Sequence, residues 1–201
     1  FRRGQQTCHK KFGEDIAILA GDCLNSYAIQ LIAEECDYPA EQKLQLITYF
    51  TQCLGVEGLV GGQILDIKSS SEMSSVDHLK KLHKMKTGAL IEFSILAPTI
   101  IKGIEKERSD ILKQGAAHLG LLFQITDDIL DVVGDAKKLG KTVDKDAQLN
   151  KLTYVSCLGL DGARSAAQNE AQAAIDAFLQ FDKNNTLSLC SFVEYILNRT
   201  F

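Results

Sequence analysis

The chain has little proline, no long unbroken apolar run and no excess of positive charge. Only two prolines occur in 201 residues, Pro39 and Pro98, so long helices meet few breakers. No run of about 18 apolar residues is present, which speaks against a transmembrane segment. The formal net charge is −4, so the overall balance points away from a nucleic-acid partner. Cysteine is present but unpatterned. Cys8, Cys23, Cys36, Cys53, Cys157 and Cys190 include no C-x-x-C pair and no histidine at zinc-like spacing. They read as small core residues in a reducing compartment, the cytoplasm, rather than as disulfides. No signal peptide is visible, although the chain opens at Phe1 and not at Met. Internal repeats are missing, and so is strand-like alternation long enough for a sheet.

What the chain does have is helical periodicity. Apolar residues recur at helical spacing over residues 12–36, 40–67, 76–101, 118–135, 161–181 and 187–199. The expected fold class is all-α: a large helical bundle, one domain over residues 1–201.

The stretch 118–135, HLGLLFQITDDILDVVGD, organises the rest. As a helix it sets Gln124, Asp127, Asp128 and Asp131 at i, i+3, i+4 and i+7, on one face. Most other positions are apolar, the pattern of a buried helix. Three carboxylates on such a helix are costly unless a cation sits against them. Lysine or arginine would serve. So would Mg²⁺, which takes oxygen ligands, usually one or two carboxylates plus substrate phosphates. Spacing alone leaves both open.

Elsewhere the candidates are weaker one by one. Gly55, Gly58, Gly61 and Gly62 sit inside an apolar helical pattern, where glycine is disfavoured, and suggest close packing or ligand approach. Gln63 and Asp66 share a helix face and suit either a cavity or simple capping of a helix end. Asp22 reads as a satisfied structural acid. Lys86-Thr87-Gly88 precedes the apolar run Ala89-Leu90-Ile91, which favours an inward-pointing ammonium. Arg2-Arg3-Gly4 alone would be a solvated turn. The last two helices read as packing elements.

Taken together, Phe123-Gln124-x-x-Asp127-Asp128-x-x-Asp131, Gly61-Gly62-Gln63-x-x-Asp66, Lys86-Thr87, Gly140-Lys141 and Asn150-Lys151-Leu152-Thr153-Tyr154 resemble the trans-isoprenyl diphosphate synthases, the farnesyl and geranylgeranyl diphosphate synthase family. The acidic segment resembles that family's second aspartate-rich motif. The resemblance runs from Arg2 to Arg199 in the family's order and corresponds to roughly the last two-thirds of a synthase. The first aspartate-rich motif would lie just before Phe1. Two departures concern the loop after the central helix: Asp144 stands where the family has glycine, and Val155 where it has proline.

The resemblance implies an isoprenoid-synthase bundle around a central apolar cavity. It implies condensation of an allylic diphosphate with isopentenyl diphosphate, by ionisation, alkylation and proton loss. Asp127, Asp128 and Asp131 would hold Mg²⁺. Arg2, Arg3, Lys86 and Lys141 would bind the diphosphates, with Lys151 behind them, because a guanidinium fork and a compact ammonium both suit phosphate oxygens. Thr87 and Gln124 would turn oxygen dipoles to the carbocation, and Phe123 would pack beside the substrate. Asp66 would lie near the metal–diphosphate cluster. A homodimer is also implied. Two other readings stay open: a non-catalytic subunit of a heteromeric synthase, and a class I terpene cyclase. Lys86-Thr87 and Arg2-Arg3 speak against the cyclase.

Overall fold

The structure, a computed structural model, describes residues 1, 4–68, 75–139 and 152–199, with the backbone alone over 135–139. Among the described residues there are nine α-helices and no strand, as expected of an all-α chain. Its contacts divide into two compact units, Phe1–Thr48 and Tyr49–Phe201.

In the first unit, α1 (Cys8–Phe12) is followed by α2 (Glu14–Glu34). One helix was expected over 12–36, but Gly13 lies between them at φ 97°, ψ 159°, a conformation that ends a helix and that glycine alone adopts without strain. Lys43 Nζ, on α3 (Ala40–Leu54), donates to the Ala33 carbonyl at 2.9 Å, capping the end of α2 with positive charge. By length and composition alone α2 would be long enough to cross a bilayer, with a mean hydropathy of 1.4 over 18 residues, but a lone apolar helix near the N-terminus is weak evidence of a span. Asp22 near its middle would be costly in lipid. Ile18, Leu19, Leu24 and Tyr27 on α2 are exposed.

The second unit holds the core. A single helix over 40–67 was expected; instead α3 ends at Leu54 and α4 (Leu59–Lys68) starts afresh. The cause is backbone crowding. A Cβ on Gly58 would stand 1.9 Å from the Cys53 carbonyl oxygen, so only glycine lets the chain turn there. The expected helix over 76–101 is one rod in three parts: α5 (Val76–His83), a π-helical turn (Lys84–Gly88) and α6 (Ala89–Ile101). Ser75 starts it by accepting from the His78 N–H at 3.1 Å.

After a turn at Gly103, α7 (Lys106–Leu139) runs for 34 residues; it starts in the charged run 105–108, which reads in the sequence as a solvated helix start. Against it lies α8 (Tyr154–Phe181), kinked at Gly159. Ala163, Ala167, Ala171 and Ala174 form a stripe of small buried residues on α8, which lets the two helices approach closely. Leu119, Leu122 and Ile125 of α7 and Phe178 of α8 are essentially inaccessible; each contributes about 1.5–3 kcal/mol on burial. The Phe178 ring sits over Gly115, where an added Cβ would come within 2.4 Å of it.

A tight turn then leads to α9 (Leu187–Asn198). Asn185 Nδ2 donates to Asp182 Oδ2 at 2.9 Å, and the Asn185 and Asn184 N–H groups donate to Asp182 Oδ1 at 3.1 and 3.0 Å; these bonds hold its carboxyl below the usual range. All six cysteines are free thiols, as expected. Only Cys53 and Cys190 are buried, however, while Cys8 and Cys23 are exposed, so the core reading is corrected for those two.

Candidate active site

The site is built where α4, the π turn and α7 meet backbone to backbone. A Cβ on Gly62 would stand 2.3 Å from the Lys86 nitrogen, and one on Gly120 would stand 2.9 Å from the Gly88 Cα. Glycine at both places therefore lets two helices close on the turn that carries Lys86 and Thr87. Of the four glycines read in the sequence, Gly58 breaks a helix and Gly61 and Gly62 are buried at this contact. The π turn itself could not be read from the sequence; such turns are frequent at functional sites.

Lys86 Nζ is ion-paired with Asp66 Oδ2, joining two residues that the sequence singled out separately. Gln63, their neighbour on α4, is exposed. Lys86 and Thr87 line a cavity of about 470 Å³ whose other walls, Ser94 apart, are apolar, among them Leu90, Ile91, Leu119, Phe123 and Phe192. The structure thus brings together the ammonium, the hydroxyl and the aromatic ring expected to share a site. Arg2, Arg3, Lys141 and Lys151 lie outside the described residues.

The acidic stripe continues along α7 from Phe123. Gln124 Nε2 lies 3.5 Å from Asp127 Oδ2. Asp127 and Asp128 are half-buried and Asp131 is exposed. The three acids are not equivalent. Asp128 Oδ2 accepts from the Tyr154 N–H at 2.7 Å, at the first turn of α8. That end of α8 carries a capping box: Thr153 Oγ1 accepts from the Ser156 N–H at 3.0 Å and Ser156 Oγ from the Thr153 N–H at 2.9 Å. A helix N-terminus favours a carboxylate, so the charge of Asp128 is supported there.

Asp127 Oδ1 is ion-paired with Arg199 Nη2. Burial pushes the Asp127 carboxyl above its ordinary pKa, and the Arg199 guanidinium partly opposes this. Arg199 Nη2 also lies 3.0 Å from the Phe123 carbonyl and 3.1 Å from Thr126 Oγ1, with the guanidinium 4.4 Å from the Phe123 ring centroid. Sequence reasoning missed this residue and treated the last helix as packing alone. Arg199 follows the apolar run Tyr195-Ile196-Leu197 by two positions, and nothing in that pattern tells which side it faces.

Among the described residues no three histidine, cysteine or acidic side chains converge so as to hold a metal ion, so Asp127, Asp128 and Asp131 do not form a ready-made three-carboxylate site. The donor set still suits a hard cation. Two half-buried carboxylates lie side by side in sequence on α7, all their donor atoms are oxygens, and one of them already attracts a positive group. An open site of one or two carboxylates, completed by phosphate oxygens, is how Mg²⁺ is commonly held.

Comparison with known proteins gives a consistent result. Residues 1–190 match the family model for polyprenyl synthetase. The chain is 42% identical over 175 residues to farnesyl diphosphate synthase of Geobacillus stearothermophilus, covering 86% of this chain and 59% of that protein. It is 38% identical over 200 residues to the chloroplastic geranylgeranyl pyrophosphate synthase of Catharanthus roseus, covering 98% of this chain and 56% of the relative. The chain therefore spans little more than half the length of these relatives. Among solved structures, the geranyltransferase of Helicobacter pylori complexed with magnesium and isoprenyl diphosphate superposes with a TM-score of 0.79 at 30% identity, over 96% of this chain and 63% of that one.

Proposed function

Because this chain belongs to the polyprenyl synthetase family, we propose that the protein containing it is a prenyltransferase that condenses an allylic diphosphate with isopentenyl diphosphate. The observation that carries this reading is the shared cavity: Lys86 and Thr87 from the π turn and Phe123 from α7 line one apolar chamber, and the first acid of the stripe, Asp127, follows Phe123 about one helical turn on.

The reaction needs a leaving diphosphate stabilised while water is kept from the carbocation. Lys86, at present paired with Asp66, would turn its ammonium to the diphosphate. Arg2, Arg3, Lys141 and Lys151 would supply further positive charge. Such fixed charges act most strongly where solvent is excluded. The Thr87 hydroxyl and the Gln124 side-chain carbonyl would direct negative dipole ends at the cation. The Phe123 ring and the walls from Leu90, Ile91 and Leu119 would keep water out and take up the prenyl tail.

Asp127, Asp128 and Asp131 would hold Mg²⁺. The bond from Tyr154 N–H would fix the rotamer of Asp128, leaving the stripe's geometry less to chance. When bound, the ion neutralises charge on the diphosphate as a Lewis acid. The released diphosphate can accept the final proton, so no protein base is required.

We further propose one synthase domain over residues 1–201, since the family match crosses both compact units. A homodimer is also proposed, and the exposed apolar residues of α2 are a surface for such a partner. Six free thiols support the cytoplasm as the compartment.

The test is product analysis by mass. The full-length protein is incubated with Mg²⁺, isopentenyl diphosphate and, separately, dimethylallyl, geranyl and farnesyl diphosphate. A primer extended by whole five-carbon units is the expected result. No extension of any primer by a folded protein would favour a non-catalytic subunit, and a cyclic hydrocarbon would favour a cyclase.

A further inference from the structure

The contact between Arg199 and Asp127 has consequences for how the stripe takes up a cation. Arg199 is the first residue past α9, and its guanidinium reaches back across the core to α7. One nitrogen, Nη2, faces three acceptors: Phe123 O, Thr126 Oγ1 and Asp127 Oδ1. Two N–H bonds cannot satisfy three acceptors fully. Its Nε is buried without a hydrogen-bond partner, so the fork is not used in the paired, parallel manner that makes arginine–carboxylate contacts strong. The guanidinium is held by the Phe123 ring and by a carboxylate whose burial demands a counter-charge. The pairing is close but geometrically incomplete.

We propose that Arg199 is the resting counter-ion of Asp127 and competes with the divalent cation for it. This rests on the reading of the stripe as a metal site. A carboxylate oxygen engaged by a guanidinium cannot at the same time take a cation at bonding distance without severe like-charge repulsion. Metal uptake therefore requires the Arg199 fork to leave Asp127. The other consequence is mechanical. Arg199 ties the end of α9 to α7, so its release loosens the last turn of that helix.

The competition lowers the apparent affinity for metal to the fraction of molecules in which Asp127 is free of Arg199. Removing the guanidinium should restore that affinity. The experiment titrates the full-length protein with Mn²⁺ alone and reads free Mn²⁺ by electron paramagnetic resonance. Arg199→Gln is expected to bind about tenfold tighter than wild type, and Asp127→Asn more weakly. Equal or weaker binding by Arg199→Gln overturns the proposal. Equal binding by Asp127→Asn and wild type instead removes the metal-site reading itself, so the two failures are distinguishable.

Arg199→Gln also loses its contacts to Phe123 and Thr126 and could compromise folding. A second measurement avoids the variant altogether. Hydrogen exchange of the wild-type peptide covering the last turn of α9 is compared with and without Mg²⁺. Faster exchange on adding the ion is expected from release of Arg199. Ligand binding ordinarily slows exchange, so slower or unchanged exchange there overturns the proposal.

Discussion

Asp127→Asn is expected to lower kcat by about 10²- to 10³-fold, the usual loss when one preorganised electrostatic contact at a developing charge is removed. The substitution keeps the side chain's shape and leaves a carbonyl oxygen able to accept from Arg199 Nη2. It removes the charge on which the proposed cation site depends. Stability should change little at neutral pH. The folded protein raises the Asp127 carboxyl pKa, mainly by burial, with Arg199 opposing. A carboxyl raised in the folded state adds stability fully below its unfolded pKa and loses that contribution as pH rises through the folded value. Above the folded value the half-buried charge is disfavoured, so a neutral amide should leave stability unchanged or slightly raised. Turnover and thermal unfolding of the same preparation check both halves. Unchanged turnover would remove Asp127 from the site, and a collapsed fold would make its role structural.

Gly62→Ala should damage stability and function together. The added methyl would stand 2.3 Å from the Lys86 nitrogen and 2.6 Å from its Cα, against backbone that cannot swing aside as a side chain can. The helices must separate, at a cost of about 3 kcal/mol. For a chain of this size that corresponds to a fall in Tm of roughly 6–12 °C. The same separation moves Lys86 and Thr87 relative to Phe123. Displacement of positioning groups by about 1 Å can cost 10²-fold in rate. Gly120→Ala should be milder, because its Cβ would meet the Gly88 Cα at 2.9 Å. Differential scanning calorimetry orders the two variants. Equal stabilities of Gly62→Ala and wild type would mean that α4 and the π turn are farther apart than described.

Much of this was legible in the sequence, for identifiable reasons. Helical periodicity depends on neighbours a few residues apart, so every long helix left a trace in the residue pattern. The acidic stripe was equally local, since i, i+3, i+4 and i+7 fall on one face of any helix. What failed was what depends on tertiary placement. Gly58 read like Gly62 in the sequence, yet one breaks a helix against the Cys53 carbonyl and the other makes room for Lys86. The helix expected from Asp161 is the part of α8 beyond the break at Gly159; the short helical piece before it, opened by the capping box of Thr153 and Ser156, leaves no periodic pattern in the sequence. Cys23 lies in an apolar run that reads as core, but α2 leaves it exposed. The three aspartates looked interchangeable. In the structure one faces Arg199, one faces the N-terminus of α8 and one is exposed, and no spacing rule separates them. Arg199 left no signal because its partners lie more than 70 residues away, with separations of 76 to Phe123 and 72 to Asp127.

Everything proposed for this protein depends on α7 and the π turn together forming a seat for a divalent cation and a diphosphate. Thermal unfolding of the full-length protein tests that most directly, with Mg²⁺ alone, inorganic diphosphate alone, and both. Ligand that binds only the folded state stabilises it by about 2.7 kcal/mol at a hundredfold excess over Kd, a rise in Tm of several degrees for a protein of the relatives' size. The expected result is a rise of that order with both present, larger than with either alone. A melting temperature that moves under none of the three conditions would contradict the account.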